Sequence, residues 1–266
     1  MTTPEEERGA ELQSMQRFYQ THSALVTSPF ITQFGRVNSE LFESVCHELE
    51  LSLQLRPFLD VGCGTGLLST YVRQQGGRYI GLDINRHELF AKLKSHMVHF
   101  TQASSLALPF SNESIGLLAC VDSFEHYPDH AQVAAEMYRV LRPDGYVFLS
   151  VPTYANVAGW VKRRMERSGK YAPGTWAPFD FWKAEEFEFF ITPDHIRQVF
   201  GQAGFSRFKV IGLAQELVYG LLPWLWHPKC PHKVERAFYH LFNCFAKPVV
   251  RRFPHWSLHT FWRIGK

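Results

Sequence analysis

Phe58-Leu59-Asp60-Val61-Gly62-Cys63-Gly64-Thr65-Gly66-Leu67-Leu68 is the stretch that decides the fold. A short apolar run reads as a buried strand, and the three glycines that follow let the backbone turn tightly and approach a ligand where a Cβ would clash. A helix is expected to start near Leu67, with its N-terminal amides aimed at whatever sits on the loop. The segment therefore predicts a small, at least partly anionic ligand. A dinucleotide fingerprint wants Gly or Ala at the sixth position of the glycine pattern, and Leu67 stands there, which counts against NAD.

Working outward, short apolar runs alternate with helical patterns. Strands are expected at Pro57–Val61, Tyr79–Leu82, Val98–Gln102, Ile115–Val121 and Gly145–Val151, with helices over Leu67–Gln75, Glu88–Lys94 and His130–Leu141. Such alternation predicts an α/β fold, a Rossmann-like seven-stranded, mostly parallel sheet with helices on both faces. Residues 8–50 read as N-terminal helices. Residues 153–190 form a long insertion with a basic helix over Trp160–Gly169, and loops of that length belong to lids or binding segments. Thr192 as N-cap with Pro193 at the first helical position starts another helix, which ends at Ala203-Gly204. Phe205–Leu213 and Leu258–Ile264 supply the last two strands. The expected organisation is a helical lid at 1–50, a ligand-binding core at 51–152, an insertion at 153–190 and completion of the sheet at 191–266, with an amphipathic basic insertion at 216–253.

Composition divides near the same boundary. Residues 1–152 carry 11 Lys or Arg against 17 Asp or Glu, while residues 153–266 carry 17 against 8. All seven Trp lie after residue 153, and residues 151–266 hold 24 of the 40 aromatics. A hydrophobic share of 45% with a net charge of only +3 excludes disorder and a nucleic-acid-coating polycation. The acidic, polar N-terminus resembles neither a signal peptide nor a presequence, and no run of about 18 apolar residues occurs, so a cytoplasmic protein is expected. Five irregularly spaced Cys argue against a disulfide framework. His227, Cys230, His232 and Cys244 match no common zinc spacing, so no metal is expected.

The glycine segment resembles the first motif of class I S-adenosylmethionine (SAM)-dependent methyltransferases, and its neighbours agree in order and spacing. Ile80-Gly81-Leu82-Asp83 resembles the second strand and its acidic end. Ala107-Leu108-Pro109-Phe110 with Ser123-Phe124-Glu125-His126 resembles the small-molecule branch that includes the quinone-biosynthesis enzymes, as do Val140-Leu141-Arg142-Pro143-Asp144-Gly145 and Ala203-Gly204-Phe205. The resemblance is close over 57–152, loose over 191–213 and slight elsewhere.

It implies SAM as cofactor and S-adenosylhomocysteine as product. Asp83 would accept the ribose hydroxyls, Asp60 would orient the methionine ammonium, and Gly62, Cys63, Gly64, Gly66 and Leu67 would line the donor. Ile84 would pack on adenine or simply fill the core. Relatives commonly carry Asp where this chain has Ser104. The Ser104 hydroxyl and the Ser105 amide, with Leu106 beside them, would address the adenine by neutral hydrogen bonds weaker than charge-assisted ones. The carbonyl near Cys120 or Val121 would accept the ammonium, and Tyr19 would cover the donor from the N-terminal helix that also holds His22.

His126 is the first candidate general base, with Asp122 either a second base or a helix cap, and Tyr154 lies where acceptors enter folds of this kind. The aromatic excess predicts an apolar pocket for a small hydrophobic or ring-containing acceptor, and the resemblance implies its methylation, with O-methylation expected ahead of C- or N-methylation. Nucleic acid is not expected as a partner, since no Asn/Asp-Pro-Pro-aromatic motif occurs. Three readings of residues 216–253 stay open: peripheral membrane contact, a homodimer interface, and lid or core. Two competing functions also stand: a membrane-surface methyltransferase of lipid- or saccharide-linked acceptors, and a non-catalytic SAM-binding regulator or scaffold.

Overall fold

A computed structural model describes residues 13, 42, 57–64, 66–85, 98–168, 189–226 and 230–266. Tyr19, His22, the helix expected over Glu88–Lys94, and Trp176, Phe179, Phe181, Trp182 and Phe187 lie outside the described residues. Seven strands form one sheet: β1 (Phe58–Val61), β2 (Tyr79–Asp83), β3 (Val98–Gln102), β4 (Ile115–Val121), β5 (Leu141–Pro152), β6 (Arg207–Gly212) and β7 (His259–Gly265), in the order β3-β2-β1-β4-β5-β7-β6. The β1 strand pairs in parallel with β2 and β4, β2 pairs in parallel with β3, and β7 runs antiparallel to β6. The expected Rossmann-like, mostly parallel α/β architecture is what the chain adopts.

Two compact units make up the chain. In the first are the described residues up to Val121, with Ala135–Val147 and Lys266; in the second are Asp122–Ala134 and Phe148–Gly265. Within the first unit every residue of β1 is buried, as is β4 from Ile115 to Cys120. Such continuous burial, apolar apart from Asp60, is how a strand covered on both faces reads in sequence. Phe58 and Tyr79 lie side by side in the β1–β2 register and stack at 5.8 Å, with Phe42 5.2 Å from Phe58. In the second unit the core includes Phe148 against Phe261 (5.7 Å) and Phe200 against Phe205 (5.4 Å), with Trp262 fully buried.

The helices are α1 (Ser69–Gln74), α2 (His130–Val140), α3 (Val157–Arg167), α4 (Pro193–Ala203), α5 (Leu217–Leu221), α6 (His232–Asn243) and α7 (Ala246–Arg252). The start of α1 falls two residues later than expected because turns from Gly66 N to Cys63 O and from Ser69 N to Gly66 O absorb Leu67 and Leu68. By contrast α3 starts three residues early, where the Asn156 side chain accepts a hydrogen bond from Gly159 N at 3.0 Å and caps the helix. The α4 helix is capped as its sequence predicts. Thr192 accepts from His195 N at 3.2 Å, and Gly204 closes the helix at φ 109°. Among the described residues no helix is long and apolar enough to cross a membrane.

Candidate functional site

In the first unit the glycine loop is tied down by backbone and carboxylate together. Gly62 N and Cys63 N both donate to Leu82 O (2.8 and 3.0 Å), at the end of β2. Gly64 N donates to Asp83 Oδ2 at 2.9 Å, and Asn85 N donates to Asp83 Oδ1 at 2.9 Å. Asp83 is therefore first a clamp that fixes the loop. Gly64 and Gly66 stand at φ 48° and 73°, conformations most residues avoid. Among the described residues, a Cβ at Gly64 would meet nothing within 4 Å. At Gly81 a Cβ would fall 2.7 Å from Phe100 and 2.8 Å from Cys63 Sγ, so glycine is what lets β2 approach the loop.

Asp60 is buried on β1 and accepts the Tyr79 hydroxyl at 2.7 Å. Burial pushes its carboxyl up to about 7; the Tyr79 hydrogen bond opposes that rise and the neighbouring Asp83 charge adds to it. Burial likewise holds the Cys63 thiol well above its usual range, leaving it protonated and unsuited to nucleophilic chemistry. Asn85 Oδ1 is buried without a hydrogen-bond partner among the described residues, an acceptor beside Asp83 that the sequence did not single out. Ile84 is half-buried and Leu67 is exposed.

The adenine-side candidates sit on a braced loop. Ser104 Oγ accepts from Leu106 N at 3.2 Å, and both Ser105 and Leu106 are buried. The following Leu108-Pro109-Phe110 is held by Arg139 of α2. Its guanidinium donates to Phe110 O (2.7 Å) and Leu108 O (2.9 Å) and pairs through two nitrogens with Glu136, whose Oε2 also accepts from Leu108 N at 2.7 Å. The Arg139 bond lowers the Glu136 carboxyl below its usual range. Arg139 and Glu136 went unnoticed in the sequence, where they look like an ordinary helix-surface pair. Cys120 is buried and Val121 half-buried at the end of β4.

Asp122, next in the chain and part of the second unit, is held at φ 46°, a left-handed conformation that costs a non-glycine residue roughly 1–3 kcal/mol. Ser150 fixes it twice: Ser150 Oγ donates to Asp122 Oδ1 at 2.8 Å, and Asp122 N donates to Ser150 O at 2.9 Å. Burial pushes the Asp122 carboxyl up to about 7, opposed by the His259 charge and the Ser150 bond and reinforced by Glu216. His259 in turn is fixed by Glu216 Oε2, which accepts from both His259 N (2.8 Å) and Nδ1 (2.9 Å). No sequence signal links Asp122, Glu216 and His259, which come from three distant segments. Asp122 is not a side-chain cap of the short turn after it, since Ser123 is its N-cap and no side chain caps it.

His126 is half-buried at the end of that turn, its Nε2 3.9 Å from Glu125 Oε1. Backbone and ring contacts surround it. Phe189 N donates to Glu125 O at 2.8 Å, and Phe124 stacks on His130 at 4.7 Å. His130 Nδ1 lies 2.9 Å from His195 Nε2, and burial, with His195 second, lowers His130 to about 4. Tyr154 is buried, stacked on Phe190 at 4.6 Å with Lys162 Nζ 4.5 Å from its ring centre. Among the described residues no group of three or more His, Cys, Asp or Glu is placed to hold a metal ion.

The family described as "Methyltransferase domain" matches residues 59–149, from the second residue of β1 into β5. Residues 59–149 are similar to a methyltransferase domain. Curated relatives match part of the chain. An uncharacterized methyltransferase of Mycobacterium marinum is 35% identical over 107 residues, covering 39% of this chain and 42% of its own length. One from Mycobacterium leprae is 36% identical over 98 residues, 36% of each chain. The chain thus matches well under half the length of these relatives. Among solved structures, the Burkholderia thailandensis 1,6-didemethyltoxoflavin-N1-methyltransferase aligns over 99% of this chain and 90% of its own. Its TM-score is 0.55 at 16% identity, a likeness of fold. A SAM-dependent methyltransferase from Mesorhizobium loti aligns over 84% of this chain and 96% of its own, with TM-score 0.52 and 12% identity. The methyltransferase domain contains every donor-side candidate in the described residues, from Asp60 to Val121.

Proposed function

We propose that the chain is a SAM-dependent methyltransferase acting on a small, hydrophobic or ring-containing acceptor, with a hydroxyl as the first choice of acceptor group. The observation that carries this reading is the Asp83 clamp on Gly64, inside a segment that matches the methyltransferase domain. The residues present fit the cofactor. Asp83 and Asn85 offer acceptors to ribose and adenine, Asp60 offers a carboxyl to the ammonium, and Ser104 and Ser105 offer neutral partners to the adenine edge with Ile84 beside it. The Burkholderia enzyme of the same fold was solved with bound S-adenosylhomocysteine, which supports the choice of cofactor.

SAM, when bound, supplies a methyl group on a positively charged sulfur, already activated for displacement, and leaves as S-adenosylhomocysteine. The remaining work is to orient the acceptor and take its proton. Two side chains are candidates for that proton, Asp122 and His126. Asp122 is favoured because its position is fixed by Ser150 and its carboxyl is held near neutrality, where a base is both available and strong enough. His126 then orients the acceptor or the turn.

Incubating the full chain with SAM and a fractionated metabolite extract, and searching by mass spectrometry for products heavier by one methylene unit, tests the reading. A SAM-dependent product that Asp122→Asn greatly reduces is expected. No product from any fraction by a chain that binds SAM tightly would overturn the catalytic assignment.

A further inference from the structure

We propose that α6 and its flanking turns dock this protein onto an anionic lipid bilayer surface, with α6 lying in the interface. Nine large hydrophobic side chains are exposed among the described residues, and seven of them fall within residues 224–256. No residue of α6 is buried. The helix nevertheless carries two apolar stripes one residue out of step. Glu235, Tyr239 and Phe242 face the unit: the Tyr219 hydroxyl donates to Glu235 at 2.6 Å, Tyr219 and Tyr239 rings lie 6.4 Å apart, and Phe242 packs on the Leu217–Ala246–Val250 cluster. Val234, Phe238 and Leu241 form the second stripe, continued by Phe245 just past the helix end, and these four are 39% to 58% exposed. Spacings of four, three and four residues place them on one face about 100° away from the first.

Charge selects the occupant. Between residues 224 and 256 the chain has six Lys or Arg and one acid, Glu235, which is turned inward onto Tyr219. Lys233, Arg236, Lys247, Arg251 and Arg252 are all exposed. Arg252 lies over the Phe253 ring at 5.4 Å, and Phe253 stacks on Trp256 at 4.5 Å, so cations and large apolar groups share this surface. A nucleic acid would neutralise the cations and leave the Val234–Phe245 stripe in water. A second copy packed through the same face would set five cations against five. An interface of anionic headgroups over acyl chains satisfies both properties. With no spanning helix among the described residues, the contact is with the surface of the bilayer. The proposal does not depend on the methyl-transfer reading.

The test is co-sedimentation of the full chain with vesicles of one part phosphatidylglycerol to two parts phosphatidylcholine, against phosphatidylcholine alone. Binding to the anionic vesicles at low salt is expected, with weak binding to the neutral ones and a loss of about tenfold at high salt. Phe238→Ser with Leu241→Ser should abolish sedimentation. Lys233→Glu with Arg251→Glu, exposed positions that leave the packing intact, should weaken binding by about fivefold or more per lost cation at an unchanged melting temperature. Retention of the wild type in the supernatant with both vesicles overturns the proposal, as does wild-type-like binding by the charge-reversal variant. So does a dimer on gel filtration that the Phe238→Ser, Leu241→Ser variant dissociates while vesicle binding is absent, since a second copy then covers the stripe.

Discussion

Asp122 combines a left-handed backbone, two bonds to Ser150 and a carboxyl held near neutral pH by burial, a combination of strain and altered acidity that structural residues seldom need. Its charge is set from a distance: Glu216 fixes His259, and the positive charge of His259 favours the ionised form of Asp122. If Asp122 takes the acceptor proton, the rate of methyl transfer should rise with pH through about 7 and then level. Asp122→Asn should lower kcat by about a hundredfold or more and flatten that rise. His259→Gln removes the cation and should move the rise to higher pH with kcat on the plateau nearly kept. Full activity in Asp122→Asn together with a flattened profile in His126→Gln would transfer the role to His126. The resemblance to methyltransferases, with residue types and positions along the chain, pointed to Asp60, Asp83, Ser104 and Asp122. They could not give Tyr79 on Asp60, Asn85 beside Asp83 or His259 near Asp122, because pairing between distant segments leaves no mark on local sequence.

At the scale of elements, the loop from Ser104 to Phe110 depends on α2 for its shape. Arg139 satisfies two loop carbonyls while Glu136 satisfies a loop amide, so one ion pair holds three backbone groups. Arg139→Ala should destabilise the protein by about 1–3 kcal/mol in urea unfolding, and donor affinity should fall with it, because the adenine-side residues lose their support. An unchanged unfolding midpoint would mean that water replaces the guanidinium without cost. Strands were legible because β4 is an uninterrupted apolar run and β1 is apolar apart from Asp60, and α4 because Thr192, Pro193 and Gly204 mark both of its ends. Less legible was β5, which begins at Leu141 rather than Gly145. Pro143 and Asp144 mask its start, although both are exposed there, where a strand tolerates a missing donor. The start of α3 was missed because Asn156 caps it from within a segment that reads as loop.

For the whole molecule, two carboxyls raised to about 7 imply a definite pH dependence of stability. Both Asp60 and Asp122 bind protons more tightly when folded than when unfolded. Their contribution is therefore complete below pH 4 and is lost as pH rises through about 7. For fully buried Asp60 the loss is on the order of 4 kcal/mol at about 1.4 kcal/mol per pH unit. Urea midpoints should fall between pH 5 and 8, and Asp60→Asn, which leaves the Tyr79 hydroxyl an acceptor, should flatten a large part of the fall. A midpoint independent of pH in the wild type would mean that water reaches Asp60. The division of charge and aromatics along the chain acquires a physical meaning at this scale. The acidic, Trp-free part supplies the donor-side candidates and Asp122, and the basic, Trp-containing part supplies Glu216, His259 and the exposed stripe of α6. The sequence could place the stripe on a helix. It could not decide between burial and exposure, because two stripes one residue apart look alike until the neighbours of Tyr239 and Phe242 are known.

Calorimetric titration of SAM into the wild type and into Asp83→Asn tests the central assignment most directly. Saturable one-site binding is expected for the wild type and an affinity lower by about ten- to a hundredfold for the variant, since a charge-assisted acceptor becomes a neutral one. A melting temperature for each protein separates this effect from loss of the Gly64 and Asn85 bonds. Equal affinity in the two proteins, or tight binding of NADH with none of SAM, would contradict it.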